Sequence, residues 1–359
     1  MKILITGGSG FIGSALVRLF IENTSYEVLN LDKLTYAGSA NNLKNIRFNT
    51  HYKFVHGDIC DTDLLEKVFL EFQPDQIYHL AAESHVDRSI DNPSTFINTN
   101  IMGSYHLLET ALNYYNKLPD ERAEKFRFIH VSTDEVFGSL GPKDKAFNRS
   151  TAYEPHSPYS ASKAASDHIV KAWYHTYGLP IIITNCSNNY GPFQFPEKFI
   201  PLMIINCLQD MPLPVYGDGS NVRDWLHVND HCRALQLLGS KGAIGQTYML
   251  GGNAEQTNLE IVTQLCQILN KHNPKSDGKN YVDLIEFVDD RPGHDLRYAI
   301  DTTQTSTEIG WEPLTGLKEG LDSTVKWYLN NKDWWQSIQD AKYDGKRLGL
   351  NRSPKNRGK

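Results

Sequence analysis

Cysteine is scarce and poorly placed for cross-linking. The five cysteines, Cys60, Cys186, Cys207, Cys232 and Cys266, are odd in number, widely spread and never at CxxC spacing. That pattern excludes a disulfide framework and a cysteine-rich zinc site, and it implies reduced thiols and no metal. Long apolar runs are missing too, since no stretch approaches the ~18 residues of a membrane-spanning helix. The opening run Met1-Lys2-Ile3-Leu4-Ile5 is too short for a secretory signal, and glycines interrupt it at once. Nor is there an excess of charge of one sign: 36 Lys and Arg against 42 Asp and Glu give a formal net charge of −6. No global field then favours nucleic acid or an anionic membrane, so an anionic ligand has to be held by a few local cations and backbone N–H groups. The expectation is a cytoplasmic chain with neither a nucleic-acid nor a membrane partner. The cluster of Lys and Arg over residues 346–359 reads as a solvated, partly disordered basic tail.

What is present is the rhythm of an α/β protein. The 359 residues suffice for a nucleotide-binding core plus a second, smaller region. Short apolar runs predict strands at Lys2–Thr6, Glu27–Leu31, Tyr52–His56, Gln76–Leu80, Phe126–Ser132 and Pro180–Thr184. Amphipathic stretches predict helices at Ser14–Glu22, Asp63–Phe72, Thr95–Asn116 and Tyr159–Tyr177. Such alternation implies right-handed βαβ crossovers and a Rossmann-type, doubly wound parallel sheet. Past Asn185 the rhythm becomes irregular and richer in proline, as for a smaller C-terminal α/β substrate-binding domain. The expected division is 1–185, with 224–250 returning to it, for the dinucleotide domain, and 186–223 with 251–345 for the substrate domain.

Gly7, Gly10 and Gly13 follow the first strand and open a helix, where a bare backbone can approach a pyrophosphate facing the helix N-terminus. Asp32, at the end of the second strand, suits an adenosine ribose and repels a 2′-phosphate, so NAD is favoured over NADP. Lys33 beside it works the other way. Tyr159 and Lys163 lie one helical turn apart, and an ammonium near a phenol lowers the phenol pKa toward use as a base. Asp134-Glu135, after Ser132-Thr133, adds an adjacent acid and base that a plain dehydrogenase does not need. The pair suggests that the oxidised intermediate loses water.

With these motifs in hand, the chain resembles the extended short-chain dehydrogenase/reductases, and within them the nucleoside-diphosphate-glucose 4,6-dehydratases. The segments carrying the resemblance include GGSGFIGS (7–14), HLAAESHVDRS (79–89), VSTDEVFGSL (131–140), SPYSASKAASD (157–167), CSNNYGPFQFPEKFIPL (186–202) and DRPGHDLRYAID (290–301). Asn185 stands where Arg is usual, and Phe137 where Tyr is more common. The resemblance implies catalysis by Thr133, Asp134, Glu135, Tyr159 and Lys163. It implies NAD contacts from Gly7, Gly10, Phe11, Ile12, Gly13, Asp32, Lys33, Asp58, Ile59, Ala81, Ala82, Thr99, Tyr159, Lys163 and Asn189. Substrate contacts would come from Ser84, Thr133, Asn188, Lys198, Arg223, Asn258, Arg291 and His294, with Pro214, Val215 and Tyr216 around the base. The substrate implied is dTDP-glucose, dehydrated to the 4-keto-6-deoxy sugar for deoxysugars such as rhamnose. A homodimer is implied, packed through the helices at Thr95–Asn116 and Tyr159–Tyr177. The alternatives are UDP-glucose as substrate, a C4-epimerase, a UDP-glucuronate decarboxylase, or a non-catalytic NAD-sensing protein. Trp334-Trp335 reads as a packing cluster.

Overall fold

A computed structural model of the chain describes residues 1–290 and 293–342. Its strands are β1 (Lys2–Thr6), β2 (Glu27–Asp32), β3 (Tyr52–His56), β4 (Gln76–His79), β5 (Arg127–Thr133) and β6 (Ile181–Cys186). They continue as β7 (Asn188–Tyr190), β8 (Leu213–Tyr216), β9 (Val222–His227), β10 (Thr247–Leu250), β11 (Glu255–Thr257) and β12 (Ile285–Val288). Seven of them form one sheet in the order β3-β2-β1-β4-β5-β6-β10, and every pairing in it is parallel. Ile3, Leu4 and Ile5 of β1 are fully buried, which is why that strand reads as a continuous apolar run. The edge strand β3 has no fully buried residue, and Lys53, Phe54 and His56 are exposed.

Helices cover both faces. Phe11–Asn23 and Val228–Lys241 pack together on one side through a core that includes Leu16, Phe20 and Leu235. On the other, Thr62–Phe72, Ser104–Tyr115 and Pro158–Tyr177 enclose Leu65, Phe69, Leu107 and Val170. The strand order reverses between β1 and β4, so a crevice opens beyond their carboxyl ends, where Thr6 lies opposite His79. A third core, with Met203, Ile204, Leu265 and Trp335, lies among helices Phe199–Leu208, Asn258–His272, Leu317–Asn330 and Lys332–Lys342. Beside it run a three-stranded sheet, β7-β9-β11, and the pair β8-β12. Trp334 and Trp335 are both buried there, as packing residues. Among the described residues no helix is long and apolar enough to cross a membrane.

Several expectations shift, β6 among them, which runs on to Cys186. The first crossover helix starts at Phe11 and not Ser14, because Gly10 serves as its N-cap. The predicted helix at Thr95–Asn116 is broken: a short turn at Pro93–Phe96, wide i→i+5 turns over Ile97–Gly103, then a regular helix from Ser104. Periodicity cannot reveal one extra residue per turn, but such widening is frequent at functional sites. Strand β5 runs one residue further than predicted, so Thr133 closes it. Phe137 packs in an apolar cluster with its ring 5.2 Å from Phe147 and 5.0 Å from Tyr153. Arg291 and the basic tail at 346–359 lie outside the described residues.

Candidate active site

The glycine loop is close-packed backbone. A Cβ at Gly13 would meet the Gly7 carbonyl at 2.1 Å, and one at Gly7 would meet the Ala81 nitrogen at 2.6 Å. Only hydrogen fits at either position, and Gly7 also has φ of +73°. No side chain caps the helix that begins at Phe11, so its first N–H groups face the crevice as donors for a diphosphate. At the end of β2, the buried Asp32 carboxylate accepts from Ser9 N at 2.8 Å and Leu34 N at 2.7 Å. The same carboxylate lines the crevice, placed to accept from a ribose. Lys33 is drawn away: its ammonium lies 2.6 Å from Asp58, whose hydrogen bond raises the Lys33 pKa. The cation that would attract a 2′-phosphate is thus paired. This bare-backbone cradle with one acidic end fits NAD.

The same crevice continues into the catalytic cluster as one cleft of about 1570 Å³, its open mouth included. It brings together Gly7, Gly10, Phe11, Ile12, Gly13, Asp32, Lys33, Asp58, Ile59, Ala81, Ala82, Thr99 and Asn189 with Ser84, Asn188, Lys198, Thr133, Asp134, Glu135, Tyr159 and Lys163. Tyr159 and Lys163 stand on the helix Pro158–Tyr177, whose start is set by a Ser157/Ser160 capping box and a proline in the first turn. The Lys163 ammonium, buried, donates to the Val131 carbonyl at 2.9 Å. Thr133 ends β5 and its hydroxyl caps the short turn Asp134–Phe137 by accepting from Glu135 N.

Burial, then the charges of Glu135 and Asp224, hold the Asp134 carboxyl well above the ordinary carboxylate range, against the pull of Arg223 and Thr133. Its Oδ1 receives the Thr133 hydroxyl at 3.3 Å, and its Oδ2 has no hydrogen-bond partner among the described residues. A buried carboxyl pushed toward its protonated form beside a second carboxyl is what an acid and base division requires. Tyr159 departs from expectation. Burial first, then the negative charge of Glu135, pushes its phenol well above the ordinary value, while a hydrogen bond with Thr133 pulls it down. The lowering expected from Lys163 is outweighed because desolvation disfavours the phenolate.

Not every expected substrate residue reaches the cleft. The Val215 side chain is fully buried in the third core. Pro214 and Tyr216 flank it on β8, with the Tyr216 ring 5.9 Å from that of His294. His294 is 2.6 Å from Asp290. Arg223, on β9, is buried and donates to the Asp295 carbonyl at 2.9 Å, its guanidinium stacked 4.2 Å from the Tyr298 ring. Asn258 opens the helix Asn258–His272, its N–H on the Asn221 carbonyl.

Some cleft residues were missed. Glu83, Cys186, Gln194 and Phe195 also line it. Asn100, from the widened helix, accepts from Glu83 N at 2.8 Å and donates to Glu83 O and to Ser162 Oγ, tying the cofactor wall to the catalytic helix. Glu197 accepts from the Arg88 guanidinium at 2.8 and 2.9 Å, beside Lys198, which donates to Ser84 O at 2.7 Å. The PEKFIP segment was the available signal for Glu197; nothing local marked Asn100.

Fold and cleft together define an NAD-dependent enzyme of the extended short-chain dehydrogenase/reductase class. The family model for GDP-mannose 4,6-dehydratase matches residues 4–324. The dTDP-glucose 4,6-dehydratase of Neisseria meningitidis serogroup B is 54% identical over 350 residues, 97% of this chain and 99% of that protein. The Escherichia coli enzyme of the same name is 54% identical over 360 residues, 98% of this chain and 99% of its own. A dTDP-glucose 4,6-dehydratase from Streptomyces venezuelae, solved with NAD bound, superposes with a TM-score of 0.86 at 43% identity, covering 94% of this chain and all of that one. The chain belongs to the dTDP-glucose 4,6-dehydratase family, NAD-dependent hydro-lyases of nucleotide sugars.

Proposed function

We propose that the chain converts dTDP-glucose to dTDP-4-keto-6-deoxyglucose and water. The observation that carries this reading is the buried Asp134, its carboxyl raised by that burial and by its neighbour Glu135, in one cleft with Tyr159 and Lys163. NAD held by the Gly7–Gly13 loop and Asp32 would supply a hydride acceptor for sugar C4 and the matching hydride donor for C6. Tyr159 takes the proton of the C4 hydroxyl, with Thr133 hydrogen-bonded to the same oxygen. The resulting ketone acidifies the C5 proton, which Glu135 removes. Asp134 gives its proton to the C6 oxygen, which leaves as water, and C5 is reprotonated as C6 is reduced. An epimerase has no task for this acid and base pair, and a decarboxylase would need a cation for a C6 carboxylate in place of an acid.

In this reading residues 1–185 with 224–250 hold NAD, and 186–223 with 251–345 hold the sugar nucleotide. Lys198 and Arg223 serve the diphosphate as directed donors. The chain works in the cytoplasm, supplying a precursor of deoxysugars such as rhamnose. It forms a homodimer through the helices Ser104–Tyr115 and Pro158–Tyr177, near which Ile97, Met102 and Tyr177 are exposed apolar side chains. The deciding experiment incubates the purified chain with dTDP-glucose and, in parallel, UDP-glucose, without added reductant. Loss of one water's mass from dTDP-glucose alone is expected. Equal turnover of UDP-glucose would refute the base preference, and no mass change with either would refute the dehydratase reading.

A further inference from the structure

We propose that Asp167 is a positioning residue for this reaction: its buried carboxylate is the counter-charge of Lys163 and, through Asn185, fixes the strand end that carries Thr133. The inference rests on the functional reading above only for what the positioned groups then do.

Asp167 lies one helical turn beyond Lys163, on the same face of Pro158–Tyr177, and neither its side chain nor that of His130 is exposed. Four elements meet at its carboxylate. From the loop before the helix, the Tyr153 hydroxyl donates to Oδ2 at 2.9 Å. From β6, Asn185 Nδ2 donates to the same oxygen at 3.2 Å, and from β5, His130 Nε2 stands 3.1 Å from Oδ1. The Asn185 amide nitrogen has two hydrogens, and it also donates to the Thr133 carbonyl at 3.0 Å. Turned over, the amide would set its oxygen against a carboxylate and a carbonyl, so its orientation is decided. Asn185 therefore transmits the position of Asp167 to the backbone of Thr133. The position that commonly holds Arg in the resembling family holds here a neutral link, and Asp167 keeps its full charge for other cations.

A buried ammonium needs such a charge. The titratable groups around Lys163 and Asp167 are His79 from β4, His130 from β5, Asp134 and Glu135 beyond it, Cys186 from β6, Tyr153 from the loop, and Tyr159 on the same helix. Burial lowers both histidines and raises the Cys186 thiol, so at neutral pH none of these three carries charge. Burial, first of all, raises the Asp134 carboxyl. Burial also lowers the Lys163 pKa, and Asp167 is the foremost influence opposing that fall. For Asp167, burial would raise the carboxyl, but the nearby His130, its Nε2 3.1 Å away, and then the Lys163 charge overcome it and leave it lowered. Each of the two groups thus favours the ionised form of the other.

The test is Asp167→Asn in the full chain, with two readouts. Competitive acetylation against pH, read at Lys163 by mass spectrometry, reports the free amine and needs no substrate. The pH at which Lys163 becomes reactive is expected to fall by about one unit, making it about tenfold more reactive at pH values below both midpoints. Turnover of dTDP-glucose at pH 8 is expected to show kcat lower by about tenfold with KM within about twofold. Tyr153→Phe, which removes a donor and leaves more charge on the carboxylate facing Lys163, is expected to move the reactive pH upward by a few tenths of a unit. An unmoved Lys163 midpoint in Asp167→Asn overturns the inference even where activity is lost, because loss alone would signal only a structural role. Where Asp167→Asn does not fold, Tyr153→Phe decides, and an unchanged or lowered midpoint overturns it. If the native chain does not dehydrate dTDP-glucose, the functional reading fails while the labelling result stands.

Discussion

Replacing Asp134 by Asn keeps the shape of the side chain and removes its titratable proton. The side chain is only 1% exposed, and its Oδ2 has no hydrogen-bond partner among the described residues, so no neighbouring protein donor stands ready to replace the lost acid. Removing a positioned general acid costs about 10²–10⁴ in rate, or ~2.7–5.5 kcal/mol of barrier. Elimination should therefore fall by that factor, while oxidation at C4 and proton removal at C5 persist. Mass spectrometry in deuterated water reads both at once: slow loss of water, with exchange of the C5 hydrogen retained in unreacted sugar. Stability should move the other way. Asp134 is raised in the folded chain, so its contribution is fully present below the ordinary carboxylate pKa and is lost as pH rises through the folded value. Asn does not titrate, so the melting temperature of Asp134→Asn should exceed that of the native chain by a margin that grows over that window. A kcat within tenfold of native, or a margin that shrinks as pH rises, would refute the assignment of Asp134 as a buried acid.

Gly13→Ala sets a Cβ 2.1 Å from the Gly7 carbonyl; the strain of about 1–3 kcal/mol should weaken NAD binding at least about tenfold, read by nucleotide titration. The double variant Asp32→Ala with Asp58→Ala removes the carboxylate facing the ribose and releases Lys33 from its 2.6 Å ion pair. The ratio of NAD to NADP affinity should fall by about tenfold or more, and an unchanged ratio would contradict the role given to the pair. Trp335→Ala empties a site in the third core where the ring is 1% exposed and donates to the Tyr328 carbonyl. The cost of about 3–5 kcal/mol should lower the melting temperature by on the order of 10 °C, read by calorimetry.

The sequence alone determined the elements whose chemistry is local. An apolar run with glycines directly after it marks a buried strand feeding a helix, and β1 and the Gly7–Gly13 loop formed where that pattern said. Tyr159 and Lys163 needed only helical spacing to share a face. What it could not show is whatever depends on residues far apart in the chain. The raised pKa of Asp134 arises from burial and from Glu135 and Asp224, the last of them on β9. The phenol of Tyr159 was expected to be lowered by its neighbour four residues on, but enclosure by β5 and β6 raised it, because desolvation is a property of the surrounding packing and not of spacing. The break at Ile97–Gly103, which turns Asn100 onto Glu83 and Ser162, left no trace in the hydrophobic period. Motifs name the groups that can react; the tertiary structure sets how much water and how much charge each one meets, and those two quantities decide which group holds a proton.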